Sequence, residues 1–392
     1  MYQGPFRNID PQVRYVGDRA CAECHTDEDH SYHHHPMGRS VVPIAQLASQ
    51  QPYDEAHHNP FTALGSQFRV RREGDRLVHQ QILVDDQGRR IDGLDMEVAY
   101  ALGSGTHGYG YLTIRGDSLL ETPISWYSQK ARWDLSPGFI PEWFGGRPVG
   151  AGCLYCHANQ THPLEGLLNR YEKPIVLEAI GCERCHGPGE RHVASRRRLD
   201  PLPGPVDDTI VNPRHLDWRL REAVCEQCHL EGVERVVRRG RRPDDYRPGL
   251  PLEDFVSVFV YPREPGEDQK AVNHVQQMHL SQCFQRSPED HKLGCISCHD
   301  PHVQVEGDER VAHYRQRCLQ CHATHGCSEP EAVRRRRSPQ DSCIDCHMPR
   351  YLGMDIPHTA STDHRIPRRP RPEQPSPRPP PPGDEPPLVS VH

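Results

Sequence analysis

The sequence predicts short α-helices and loops packed around several covalently attached groups, with a small β-rich unit between the first and second attachment points. Three observations lead there. A five-residue pattern, Cys-x-x-Cys-His, occurs seven times. Hydrophobic residues make up only 35% of the 392 residues, and there are 39 prolines, so the chain has little apolar material for a conventional core. More than 120 residues separate the first pattern from the second, and part of that gap alternates apolar and polar residues as strands do.

The pattern is the attachment site of a c-type haem. Its two thiols form thioethers to the macrocycle, and the histidine that follows binds the iron. A helical turn brings residues three and four apart onto one face, so five residues can hold both the ring edge and the metal. The copies are Cys21, Cys24 and His25; Cys153, Cys156 and His157; Cys182, Cys185 and His186; Cys225, Cys228 and His229; Cys295, Cys298 and His299; Cys318, Cys321 and His322; and Cys343, Cys346 and His347. One copy alone could be half a zinc site. Seven copies with the histidine at one offset point to seven haem c groups, each an apolar body around which chain can pack.

Fourteen of the 16 cysteines are used in this way, leaving Cys283 and Cys327. Haem c is attached outside the reducing cytoplasm, where disulfides persist. A bond between these two is therefore one expectation, and two buried thiols the other. The formal charge of −7 argues against nucleic acid as a partner. Arginine runs at 195–199, 238–242 and 334–337 are solvated faces or partners for haem propionates. No apolar run of 18 residues is present, so no membrane span is visible. Nor is a signal peptide visible in the first 20 residues, although haem attachment implies export to the periplasm or beyond. A missing or misplaced N-terminus would reconcile the two.

Along the chain, residues 1–60 form a first haem segment. Residues 61–150 form the β-rich insert and an aromatic loop, with hairpin turns expected at Gly74-Asp75 and Gly116-Asp117. Haems two to four occupy 151–235, a connector and helix 236–285, and haems five to seven 286–366. The spacings after the second motif are 29, 43, 70, 23 and 25 residues, which suits short pinned helices and not a solenoid. The proline-rich end, 367–392, reads as an extended, disordered tail.

A six-coordinate haem needs a second axial ligand, and 20 histidines remain beyond the seven in the motifs. His192 follows His186 by six residues, which span at most roughly 20 Å when extended. The intervening Gly-Pro-Gly favours a turn, so reaching the far face of the same haem is marginal. His302 lies three residues after His299 and cannot travel round its own macrocycle. If these histidines are ligands, they serve neighbouring haems, and the haems must then be close enough for electron hopping. His107 sits among glycines that permit close approach to a flat cofactor. His358 and His364 lie near the last motif. The run His33-His34-His35-Pro36-Met37 offers one ligand, with His35 preferred. Met37 would raise that haem's potential. Of His57 and His58, His58 is preferred. The expected set is therefore His35, His58, His107, His192, His302, His358 and His364, with His279 and His325 in reserve. His79, His313 and His392 read as surface or internally satisfied histidines.

The stretches YVGDRACAECH, GSGTHGYGYL, WYSQKARWDLSPGF, CLYCHANQ, IGCERCHGPGERHV, CEQCHLEG, SCHDPH and CIDCHMPR…HTASTDHRIPR together resemble exported multihaem c-type cytochromes with doubled CxxCH motifs. They are more distantly similar to the superfamily of hydroxylamine oxidoreductase and its tetrahaem acceptor. The resemblance spans about residues 14–368. It implies haems with two histidine ligands, electron transfer outside the cytoplasm, and ligand roles for His107, His192, His302, His358 and His364. The chain departs from it in ending with a proline tail where relatives carry helical repeats.

Two functions follow. One is a multihaem cytochrome passing electrons between redox-partner proteins. The other is an oxidoreductase acting on a small nitrogen or sulfur compound at one five-coordinate haem, which needs an open iron position and acid–base groups beside it. No CxxCK variant is present. Oligomeric state is not legible.

Overall fold

The computed structural model describes residues 4–201, 204–261, 274–324, 326–353, 356–369 and 387–391. The chain divides into two units. His33–Gly181 with Asp355–Thr359 form one, and Met1–Tyr32, Cys182–Met354 and Ala360–His392 the other.

The first of these is built on antiparallel sheets. Strands β1 (Val41–Pro43), β2 (Phe61–Ala63), β3 (Ser66–Glu73), β4 (Arg76–Val84), β5 (Arg90–Val98), β6 (Tyr100–Leu102), β7 (Gly108–Arg115), β8 (Ser118–Glu121), β9 (Ile124–Tyr127), β10 (Arg132–Leu135) and β11 (Arg147–Pro148) follow one another along the chain. One sheet has the order β2-β3-β4-β5. The other runs β1-β6-β7-β8-β11, with β9 pairing β7 and β10.

The alternation in the sequence has its physical cause here. Ser66, Phe68 and Val70 of β3 point inward while Arg69 is exposed. The β3–β4 hairpin turns at Gly74-Asp75, pairing Glu73 with Arg76. The β7–β8 hairpin turns at Gly116-Asp117, pairing Arg115 with Ser118. In each, the glycine supplies the positive φ that a two-residue turn demands, 65° and 68°.

Phe61, Phe68, Leu77, Val98, Tyr111, Ile124 and Trp133 fill the core of this unit. A second cluster joins Leu112 and Leu119 to Leu154 and Ala158. It seats the helix Ala151–His157, which carries the second haem motif, on the sheet. His79 is fully buried, with Nδ1 2.8 Å from Thr122 Oγ1.

The other unit holds the remaining six motifs on short helices. Its core joins Phe6 and Ile9 to Val224, Leu230, Leu252, Phe255 and Val258. The helix Trp218–His229 ends in the fourth motif and is N-capped by Asp217, whose carboxylate accepts the N–H groups of Arg219 and Leu220. Among the described residues no helix is long and apolar enough to cross a membrane.

The end of the chain departs from the expectation of a free tail. Strands β12 (Glu234–Val237), β13 (Val256–Val260), β14 (Arg350–Leu352), β15 (Ala360–Thr362) and β16 (Val389–Ser390) follow in this unit. β16 pairs with β13, and the N–H of Val391 donates to Val258 O at 2.9 Å. Val389 and Ser390 complete a sheet edge, and Val391 packs on the core. The proline-rich stretch itself, together with His325 and His392, lies outside the described residues.

Cys283 and Cys327 are both free thiols, against the disulfide expected between them. Cys283 is half-buried beside Cys298 and Cys321. Cys327 is exposed and neighbours Cys346. Each sits beside a different haem motif.

Candidate haem-binding sites

Each motif begins on or just before a helical turn, as the attachment chemistry requires. In the first and third motifs, for example, the N–H of His25 donates to Cys21 O at 2.9 Å and that of His186 to Cys182 O at 3.1 Å. The turn aligns the thiols and the imidazole on one side.

Six of the seven motifs lie in twos. The thiol of Cys21 neighbours that of Cys182, Cys225 that of Cys295, and Cys318 that of Cys343. Each contact joins the first cysteine of one motif to the first cysteine of another. Cys185 also lies near Cys225 and Cys228, which links the third motif to the fourth.

The residue three places before the leading cysteine reaches across to the partner motif. Asp18 Oδ1 accepts the backbone N–H of Cys182 at 2.9 Å, and Glu222 Oε2 accepts that of Cys295 at 2.9 Å. Both satisfy an N–H at the start of a short helix. In the third couple the polarity is reversed. Arg315 donates to Asp341 O at 2.7 Å, two residues ahead of Cys343. Gly294 keeps the approach of Glu222 open, since a Cβ there would collide with Glu222 Oε1.

The histidines show a second pattern. His25 and His192 have ring centroids 6.3 Å apart, His186 and His302 5.9 Å, His299 and His364 6.3 Å, and His229 and His274 6.1 Å. Two imidazoles sharing one metal through Nε2, each bond about 2 Å, have centroids about 6 Å apart. In each pair one histidine belongs to a CxxCH motif and the other comes from elsewhere in the chain.

Ring nitrogens are held accordingly. Nδ1 of His186 lies 2.8 Å from Val211 O, that of His192 3.0 Å from Asp207 Oδ2, that of His347 2.9 Å from Pro367 O, and that of His364 2.8 Å from Thr362 O. An acceptor at Nδ1 fixes the proton there and leaves the Nε2 lone pair for a metal. Burial lowers the pKa of His186, His192, His229 and His364. For His192 this acts against Asp207, and for His186 and His364 against the carbonyls of Val211 and Thr362. The neutral ring is the form that binds metal. Donor chemistry, spacing and tautomer therefore fit haem with two histidine ligands.

The other expected ligands are placed differently. His107 has Nδ1 2.8 Å from Gln129 Nε2. His35 Nδ1 accepts the N–H of Met37 at 3.2 Å, which puts the proton on Nε2, the wrong tautomer for metal binding. His358 turns Nε2 onto Asp134 Oδ2 at 2.9 Å and sits edge-on to Tyr127. His58 has Nδ1 2.8 Å from Trp133 O, with Arg132 Nη2 2.7 Å from the same nitrogen. Arg132 also pairs with Asp134 at 2.9 Å. These last contacts form a polar cluster on β9 and β10. His279 stacks on Phe284 at 4.3 Å, with Nε2 4.0 Å from Glu226.

His274 is the ligand candidate that sequence reasoning misses. It opens the helix His274–Leu280, a segment that reads as helical in the sequence, but there only His279 stands out as a reserve ligand.

The seven motifs and the paired imidazoles together supply the thiols and axial nitrogens that c-type haems require. Residues 148–187, which contain the second and third motifs, match the family described as cytochrome c554 and c-prime. The chain is similar to the crystal structure of the outer cell wall cytochrome OcwA, at 17% identity and a TM-score of 0.53, over 90% of this chain and 79% of that one. A weaker similarity links it to an undecahaem cytochrome from the S-layer of Carboxydothermus ferrireducens, at 13% identity and a TM-score of 0.40, over 86% of this chain and 51% of that one. No curated protein matches.

Proposed function

We propose that the chain is a heptahaem cytochrome that carries electrons between redox-partner proteins outside the cytoplasm. The observation that carries this reading is the pairing of motif histidines with histidines of other segments at 5.9–6.3 Å. Bound haem supplies reversible one-electron chemistry at iron. The chain's residues do the rest.

Fourteen cysteines fix the rings and seven motif histidines bind the irons. His192 serves the first haem, His302 the third and His364 the fifth, so each of these ligands ties one motif to another. His35 and His107 accept at Nδ1, from Met37 and Gln129, His58 takes Arg132 at the same atom and His358 turns Nε2 to Asp134, so none of these is carried forward as a ligand.

The bonds of Asp18 to Cys182, Glu222 to Cys295 and Arg315 to Asp341, with the leading cysteines close by, support three couples of neighbouring haems: first with third, fourth with fifth, and sixth with seventh. Asp18, Glu222 and Arg315 hold each couple in register. The contact of Cys185 with the fourth motif would make the first two couples continuous. An exported location is proposed from the attachment chemistry and from the fold shared with an outer cell wall cytochrome.

The test is mass and redox behaviour of full-length protein matured in a host competent for haem c attachment. Seven haems per chain and reversible reduction over a broad span of potentials are expected. Fewer than seven haems, or turnover of nitrite or hydroxylamine at one iron, would contradict the proposal.

A further inference from the structure

Four imidazoles lie in a row within the unit that carries motifs one and three to seven. His229 is 6.1 Å from His274, His274 is 4.7 Å from His364, and His364 is 6.3 Å from His299. The two outer rings belong to the fourth and fifth motifs. The two inner rings meet edge to face, at 84°.

The spacings differ in kind. The outer two are about what a shared metal demands, whereas 4.7 Å is direct ring contact, the ordinary range of aromatic packing. Building from the outer rings inward therefore assigns one inner ring to each motif. The contact between the inner rings leaves no room for an atom in between.

A buried side chain holds this arrangement. Gln277 lies one helical turn after His274 and is 2% exposed. Its Oε1 accepts the backbone N–H of His364 at 2.8 Å, and its Nε2 donates to Tyr351 Oη at 2.7 Å. Residues three apart share a helix face. The helix His274–Leu280 thus presents His274 and positions His364 with the same face. On the far side, Thr362 O holds His364 Nδ1 at 2.8 Å, so its ring cannot turn freely.

We propose that His274 is the second axial ligand of the fourth haem, and that its ring, packed on His364, joins the ligand sets of the fourth and fifth haems. This inference rests on the haem reading above. His279, on the same helix, is excluded by its stacking on Phe284. Gln277 acts as a positioning residue for both ligands.

The test uses full-length, haem-loaded protein. Haem content of the wild type is measured first by pyridine haemochrome. Fewer than seven haems there would count against the heptahaem reading, and the ligand assignment is judged on spin state. With His274→Gly, haem content should stay at the wild-type level. Electron paramagnetic resonance of the oxidised protein should show one iron converted from low spin to high spin, and added imidazole should restore it. His274→Met, which retains bulk and a ligating atom, should raise the midpoint potential of one haem. Gln277→Ala should alter the low-spin signals of two haems and not one. His279→Gly should leave every signal unchanged. An unchanged low-spin complement in His274→Gly, or a high-spin signal indifferent to imidazole, overturns the assignment.

Discussion

Asp18 Oδ1 accepts the backbone N–H of Cys182 at 2.9 Å, across 164 residues of chain. The same bond recurs between Glu222 and Cys295. In both cases the carboxylate stands three residues before the leading cysteine of one motif and satisfies the start of another. A recurrent long-range bond of this kind fixes which two attachment sites lie together.

Asp18→Ala removes that acceptor. The loss of a capping bond costs about 1 kcal/mol. Denaturant unfolding of the haem-loaded variant should show that loss with haem content unchanged. A variant as stable as the wild type would mean that the bond does not hold the couple together.

His192→Gly should convert one low-spin iron to high spin, and imidazole should reverse the change. Asp207→Asn tests the same site more gently. The carboxylate 3.0 Å from His192 Nδ1 strengthens the ring as a donor and favours the more positive iron. Its replacement should raise the midpoint potential of one haem, read by potentiometric titration, and leave the others in place.

The β-rich unit should respond to acid through His79. Burial pushes this imidazole down to about 3, against 6.5 for a solvent-exposed histidine. Between those values the unfolded chain binds a proton that the folded chain does not, so stability rises with pH across that window. It is fully present above 6.5 and is lost as pH falls towards 3. The shift corresponds to an effect on the order of 5 kcal/mol. Replacing His79 with Gln should flatten the dependence measured by unfolding across that window. An unchanged slope in the variant would assign it to other groups.

Cys327 is exposed and Cys283 half-buried, with neither in a disulfide. Alkylation of unreduced native protein should label Cys327 readily and Cys283 slowly. Mass spectrometry should then find no cystine. Recovery of a peptide pair cross-linked through Cys283 and Cys327 would show the two thiols joined instead.

Much of the site is legible in the sequence because attachment chemistry is local. Five residues fix two thioethers and a ligand, so each motif reads by itself. The hairpin turns at Gly74 and Gly116 are equally local. Chain reach points His192 and His302 away from their own motifs, and the structure sets them beside His25 and His186. What is not legible depends on contacts distant in sequence. Asp18 and Glu222 look like ordinary surface acids until their partners are known. His274 has no glycine or proline beside it to mark close approach, and only folding brings it to His229. His35 and His358 are well placed in the sequence, but a backbone N–H and Asp134 claim their nitrogens. Val389-Ser390 are too few to read as a strand without the edge of β13 to receive them.

The most direct test of the central claim is quantitative electron paramagnetic resonance of the oxidised, fully haem-loaded protein. Low-spin ferric signals are expected from the first, third, fourth and fifth irons, where a motif histidine is paired with one from elsewhere in the chain. Wild-type protein with fewer than four low-spin irons, or no gain of high-spin signal on substituting His192 or His274, would contradict it.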